Sequence, residues 1–276
     1  MFSLSGSGKM LTLEQPVVMG ILNCTPDSFY SVSRVQQIDQ GLRFAEEQIN
    51  QGAQILDLGG QSTRPGSSPV APQEESERVI PILDAIRKRF PSVFLSIDTF
   101  QAEVARAAVD AGADMINDIS GGQLDPAIRS VAAQSQLPYV IMHMRGTPQT
   151  MQTQTEYSEV TQTVVDYFQK QVEDCQQLGI KQLILDPGFG FAKTTDQNFQ
   201  LLGQLEKITK LPYPTLVGVS RKSMIYKTLD IDPIMALNGT TALHMYALMQ
   251  GAQILRVHDV RPAWETIRLF QSVRQG

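Results

Sequence analysis

The stretch GAQILDLGG, residues 52–60, holds the pattern on which the fold turns. A glycine suited to the left-handed residue that closes a helix is followed at once by a short, nearly unbroken apolar run. Such a run reads as a strand covered on its outer face, as strands of parallel sheets are. The same arrangement recurs at GADMIND (112–118) and GAQILRVH (251–258), and Gly179 marks a fourth helix stop.

Working outward, eight apolar runs emerge: VVMGIL (17–22), QILDLG (54–59), VFLSID (93–98), DMIND (114–118), YVIMH (139–143), QLILD (182–186), TLVGVS (215–220) and AQILRVH (252–258). Segments with helical spacing separate most of them. They are GLRFAEEQINQ, EESERVIPILDAIRKRF, AEVARAAVD, EVTQTVVDYFQKQVEDCQQL, QNFQLLGQLEKI, MALNGTTALHMYALMQ and AWETIRLFQSV. Eight strand–helix units predict a single (β/α)8 barrel, one domain over residues 1–276. An open doubly wound sheet would want a glycine-rich dinucleotide loop after the first strand, and none is found there. The first ten residues, with SGSG between two apolar patches, read as a short hairpin capping the barrel bottom.

With 276 residues, 42% of them hydrophobic, the chain has material for a large core. A net charge of −5 without a Lys/Arg block excludes a basic nucleic-acid footprint. No apolar run reaches the roughly 18 residues of a membrane span, and the opening MFSLSGSGKMLTLEQP has no signal-like charge and hydropathy pattern. Cys24 and Cys175 lie far apart, without metal-ligand spacing. A reducing, cytoplasmic setting is therefore expected.

In barrels of this kind the chemistry sits where the strands end. The ends here carry Asn23, Asp57, Asp98, Asn117 with Asp118, His143, Asp186, Ser220-Arg221-Lys222, and Arg256 with His258. Aspartates within apolar runs are costly to bury unless something pairs with them. Asp98, Asn117 and Asp186 can read the donor-rich edge of a flat ring, and Arg64, Lys222, Arg256 and His258 suit a di- or polyphosphate. Residues 23–36 and 59–73, rich in Gly, Pro and Ser, read as mobile loops over the mouth. The simpler readings are that Cys24 is a small loop thiol, that His244 is structural, and that Asp57 holds the second loop by hydrogen bonds. His143 reads equally as substrate contact or satisfied structural histidine, and Met142, Met144, Met245 and Met249 as packing residues.

The segments MGILNCTPDSF, DLGGQSTRPGS, SIDTF, MINDISGG, MHMRGTPQTMQ, ILDPGFGF, SRKS and RVHDV, in this order, make the chain resemble the dihydropteroate synthases along nearly its whole length. That resemblance implies a (β/α)8 homodimer using Mg2+. It would join 6-hydroxymethyl-7,8-dihydropterin diphosphate to p-aminobenzoate in folate synthesis, and it would be a sulfonamide target. It implies that Asp186 and Asn117 grip the aminopyrimidinone edge, that Asp98 accepts from the other end, and that Lys222 donates to ring acceptors. Arg256 would stack on the ring and, with His258, hold the diphosphate; Thr63 and Arg64 would close on the site. Asn23 resembles the Mg2+ ligand, and Phe29, Thr63, Pro65, Phe191, Lys222 and Ser223 resemble the p-aminobenzoate pocket. Catalysis would rest on Asp98, Arg64, Lys222, Arg256 and His258. A weak aniline nucleophile then argues for a dissociative, SN1-like substitution in which diphosphate leaves first.

The chain departs from that pattern in three places. After TPDSF it reads Tyr30-Ser31-Val32-Ser33 where Ser-Asp-Gly-Gly is usual, Gln61 stands where Glu is common, and Ala192 replaces a common Gly. Two related readings remain: a pterin-binding paralogue without turnover, and a tetrahydrofolate-linked methyltransferase of the same superfamily. STRPG and SRK disfavour the second, because a methyltransferase handles neither diphosphate nor p-aminobenzoate. A phosphate-sugar lyase barrel would want a Schiff-base lysine inside a strand, and Lys222 follows its strand instead.

Overall fold

A computed structural model describes residues 1–25, 34–62, 66–67 and 70–275. Its first element is an antiparallel hairpin, β1 (Phe2–Gly6) and β2 (Lys9–Leu13). The turn places Ser7 and Gly8 at φ 43° and 80°, the positive pair that a tight hairpin turn requires. Eight parallel strands follow: β3 (Val17–Asn23), β4 (Ile55–Gly59), β5 (Phe94–Asp98), β6 (Met115–Asp118), β7 (Tyr139–Met142), β8 (Leu183–Asp186), β9 (Leu216–Val217) and β10 (Ile254–Val257). They pair in the order β8-β7-β6-β5-β4-β3-β10-β9, and a parallel bridge between Leu185 and Thr215 closes β8 onto β9. The fold is the expected (β/α)8 barrel.

The helices are α1 (Arg34–Gln51), α2 (Pro72–Arg89), α3 (Ala102–Asp110), α4 (Ala127–Ser135), α5 (Val160–Gln177), α6 (Thr195–Gly203), α7 (Glu206–Thr209), α8 (Ser223–Leu229), α9 (Leu237–Met249) and α10 (Val260–Gln275). The four glycine stops Gly52, Gly112, Gly179 and Gly251 have φ between 82° and 108°. The structure adds two helices the sequence reading lacked. α4 ends on Gln136 in the left-handed region instead of a glycine, and α8 is only seven residues long. The expected helix over 197–208 divides into α6 and α7 after Gly203, the weakest helix former in that segment.

Strand parity explains where the core sits and why the site is polar. Side chains alternate across a strand with period two. Val17, Met19, Ile55, Phe94, Met115, Val140, Ile184, Leu216 and Ile254 point into the barrel and pack, with Leu4 and Leu13 of the hairpin, into one apolar plug at its lower end. Leu56, Leu58, Leu95, Ile97, Ile116, Ile141, Leu185, Val217 and Leu255 point outward into the larger core beneath the helices. Two residues on from the plug, on the same inward face, stand Asp57, Ser96, Asn117, Met142, Asp186 and Arg256, with Asp98 one step further. The barrel interior is therefore apolar below and ionic above.

Candidate active site at the mouth of the barrel

Asp57, wholly buried on β4, is the hub of the ionic layer. Its Oδ2 accepts 3.0 Å from Asn117 Nδ2 and 2.7 Å from Arg256 Nε. Arg256 then donates through Nη2 to Asp98 Oδ2 at 2.5 Å, so one guanidinium bridges two carboxylates. The second oxygens of Asp57 and Asp98 are buried and have no protein donor among the described residues. Such orphan acceptors are expensive in an interior and suit a ligand rich in N–H groups. Among the described residues Asp57 thus holds Asn117 and Arg256. Its contact occupies one Asn117 N–H and leaves that amide's oxygen for a ligand.

On the opposite wall Asp186 accepts from Gly188 N at 2.8 Å. Lys222, at the start of α8, donates Nζ to the Phe189 carbonyl and lies 4.8 Å from the Phe191 ring. Burial pushes the Asp98 carboxyl up to about 7 against the pull of Arg256, with Asp57, Glu75 and Asp118 adding to the rise. Burial likewise raises Asp186, opposed first by Lys222. Burial lowers Lys222 to about 8, with Asp186 as the main opposing charge. The Arg256 guanidinium also suffers from burial, but Asp57 and Asp98 more than offset it and its charge is fixed. The carboxylates of Asp57, Asp98 and Asp186 face Arg256 and Lys222, and Lys193 adds a further positive charge opposing Asp186 from behind the loop.

Around this layer, His258 is exposed at the end of β10, its backbone N and Nδ1 lying 3.2 and 3.1 Å from Ser220 Oγ. Ser223 opens α8. Arg221 turns away from the mouth, its Nε and Nη2 paired with Asp259 at 2.7 and 2.8 Å. Phe191 joins Ile119, Met142, Met144, Met151 and Ala192 in a small apolar cluster beside the mouth. The structure thus brings Asp98, Asn117, Asp186, Lys222 and Arg256 together, with Phe191, Ser223 and His258 at the rim. Phe29, Thr63, Arg64 and Pro65, and the altered residues 30–33, lie outside the described residues.

Asp118, read with Asn117 from the sequence, faces outward and accepts from Ser120, Gly122 and the Tyr139 hydroxyl. Cys24 and His244 are buried, and burial pushes the Cys24 thiol up, away from nucleophile character. Met142 and Met144 are packed as expected, but Met249 is 72% exposed. The sequence reading missed Lys193 altogether; it is buried behind Phe191.

Asn23 ends β3 beside Gly59 and is exposed. Among the described residues no group of three His, Cys, Asp or Glu can hold a metal ion. One neutral amide oxygen fits a magnesium ion whose remaining oxygen ligands come from a bound diphosphate and water, rather than an ion caged by protein.

Fold and site define a barrel built to hold a flat, polar, donor-rich ring in an ionic pocket at its mouth. The family model described as pterin binding enzyme matches residues 19–258. A dihydropteroate synthase of Synechocystis sp. is 49% identical over 88% of this chain and 85% of its own. Among solved structures, the Yersinia pestis dihydropteroate synthase with a sulfonamide drug complex superposes with a TM-score of 0.93 at 42% identity, covering all of both chains. The Xanthomonas albilineans dihydropteroate synthase with 4-aminobenzoic acid gives a TM-score of 0.93 at 37% identity, covering 99% of this chain and 98% of that one. The chain belongs to the dihydropteroate synthase family of pterin binding enzymes.

Proposed function

We propose that this protein joins 6-hydroxymethyl-7,8-dihydropterin diphosphate to p-aminobenzoate, releasing pyrophosphate and 7,8-dihydropteroate in folate synthesis. The observation that carries this reading is the buried Asp57–Arg256–Asp98 bridge facing Asp186 and Lys222. Asp186 and the Asn117 oxygen accept from the aminopyrimidinone edge, and Asp98 accepts from the far end of the ring. Lys222 donates to ring acceptors. Arg256, its Nε and Nη2 engaged by Asp57 and Asp98, lies against the ring and, with His258 and Arg64, holds the diphosphate.

The reaction is dissociative. As the C–O bond to diphosphate breaks, positive charge grows on the exocyclic methylene and spreads into the electron-rich ring. The carboxylates of the pocket, held in position before the reaction begins, stabilise that cation without reorganisation. Asp98, raised by burial to about 7, takes part in its ionised form and faces the ring as it becomes cationic. Mg2+, when bound through Asn23, supplies positive charge to the leaving diphosphate. The amine of p-aminobenzoate, seated by Phe29, Thr63, Pro65, Phe191, Lys222 and Ser223, then attacks the methylene and gives up a proton.

Leu229, Ile234, Met235, Met249, Leu269 and Val273, each at least half exposed on α8–α10 and the turn between α8 and α9, support a homodimer through these helices. Sedimentation velocity tests this: a monomer at micromolar concentration refutes it. No described helix is long and apolar enough to cross a membrane; cytoplasmic action by a single domain over residues 1–276 is part of the same proposal. Purified protein, given the dihydropterin diphosphate and Mg2+, should release pyrophosphate only when p-aminobenzoate is added. Pterin binding without release would identify a non-catalytic paralogue instead.

A further inference from the structure

Lys193 is 4% exposed, and its ammonium has no carboxylate partner among the described residues. Burial lowers it to about 7, with Asp186 as the main opposing charge, and a buried ammonium without a direct ion pair persists only where its donors are used. Nζ donates to Gly188 O at 3.0 Å and to Phe191 O at 3.1 Å, and meets His143 Nδ1 at 3.0 Å. That contact makes Nδ1 the acceptor and places the His143 ring proton on Nε2. Burial, reinforced by Lys193, holds His143 down at about 2, so the imidazole stays neutral.

The loop so gripped runs from Asp186 to Lys193, and three of its residues are left-handed: Gly188, Gly190 and Ala192, the last at φ 48° without glycine's freedom. Its far side meets Lys222, through the Phe189 carbonyl and the Phe191 ring. Two lysines therefore hold one loop, the buried Lys193 from behind and the partly exposed Lys222 from the pocket side.

We propose that Lys193 is a positioning residue: by clamping the Gly188 and Phe191 carbonyls it sets where the Phe191 ring stands for the incoming amine substrate. This rests on the function proposed above. Asp57, Asn117 and Arg256 lie on other strands, so the ring pocket keeps its own supports.

The test is Lys193→Met, which keeps the length and removes the donors. The KM for p-aminobenzoate should rise roughly tenfold to a hundredfold, as misplacement of a positioned group by about 1 Å would cause, while calorimetric affinity for 6-hydroxymethylpterin stays within about twofold of wild type. A crystal structure of the variant reads the same claim without turnover. It should show Phe191 displaced by about 1 Å or more, with Asp57, Asn117, Lys222 and Arg256 in place. An unmoved loop, or p-aminobenzoate KM and pterin affinity changing together, overturns the proposal. Absence of turnover in the wild type would refute the synthase reading alone, leaving the crystallographic comparison to decide the role of Lys193.

Discussion

Asp57 and Arg256, 199 residues apart in sequence, meet through a 2.7 Å hydrogen bond from Nε to Oδ2, and the same carboxylate oxygen accepts from Asn117. One aspartate on β4 therefore orients two groups of the proposed ring pocket, from β6 and β10. Its remaining oxygen is buried without a protein donor among the described residues.

Asp57→Asn should leave the barrel folded and weaken binding of 6-hydroxymethylpterin. The charge against Arg256 is lost, and the Asn117 amide is no longer held in one orientation. Truncating a buried hydrogen-bonded charge pair costs about 2–5 kcal/mol. The polar replacement keeps one acceptor, so a loss near the lower end is expected by isothermal titration. Affinity unchanged within error would remove Asp57 from the site.

The pH dependence of kcat/KM should be a narrow bell. Asp98, raised by burial to about 7, must be ionised to stabilise the ring cation, so the rate rises with pH through that value. Lys222, lowered by burial to about 8, must keep its proton, so the rate falls above it. The optimum lies between the two. Asp98→Asn should abolish the acid limb along with most activity. A wild-type profile flat from pH 6 to 9 would contradict both assignments.

Two glycines should respond oppositely to alanine. At Gly188 φ is 68° and a Cβ would lie 2.0 Å from the His143 carbonyl oxygen, so Gly188→Ala must displace backbone beside Asp186. A loss of about 2–4 kcal/mol and of pterin binding is expected. At Gly203, closing α6, a Cβ meets nothing within 4 Å. Gly203→Ala should stabilise by about 0.5–1 kcal/mol. Urea unfolding of both variants checks the pair of signs.

The barrel was legible because its signals are local. Apolar runs such as ILDLG and the left-handed glycines 52, 112, 179 and 251 depend on near neighbours alone. α4 and α8 were not legible, because one is short and stops on Gln136 and the other has seven residues. The inward set Asp57, Asn117, Asp186 and Arg256 follows from alternation with the plug residues Ile55, Met115, Ile184 and Ile254, so the sequence contained it. What parity cannot give is pairing across the barrel. Asp57 looked like a loop anchor because Arg256 and Asn117 are distant in sequence. Lys193 carried no signal, since its partners are carbonyls and a histidine 50 residues away.

The central claim is that a pocket of pre-positioned carboxylates lets diphosphate depart before the amine attacks. Positional isotope exchange tests it most directly. The dihydropterin diphosphate is labelled with 18O at its bridging position and incubated with enzyme and Mg2+ but without p-aminobenzoate, and the recovered substrate is examined by mass spectrometry and phosphorus NMR. Scrambling of the label between bridging and non-bridging positions, suppressed in Asp186→Asn, is the predicted result. Full turnover on adding the amine, with strictly no scrambling in its absence, would contradict the claim.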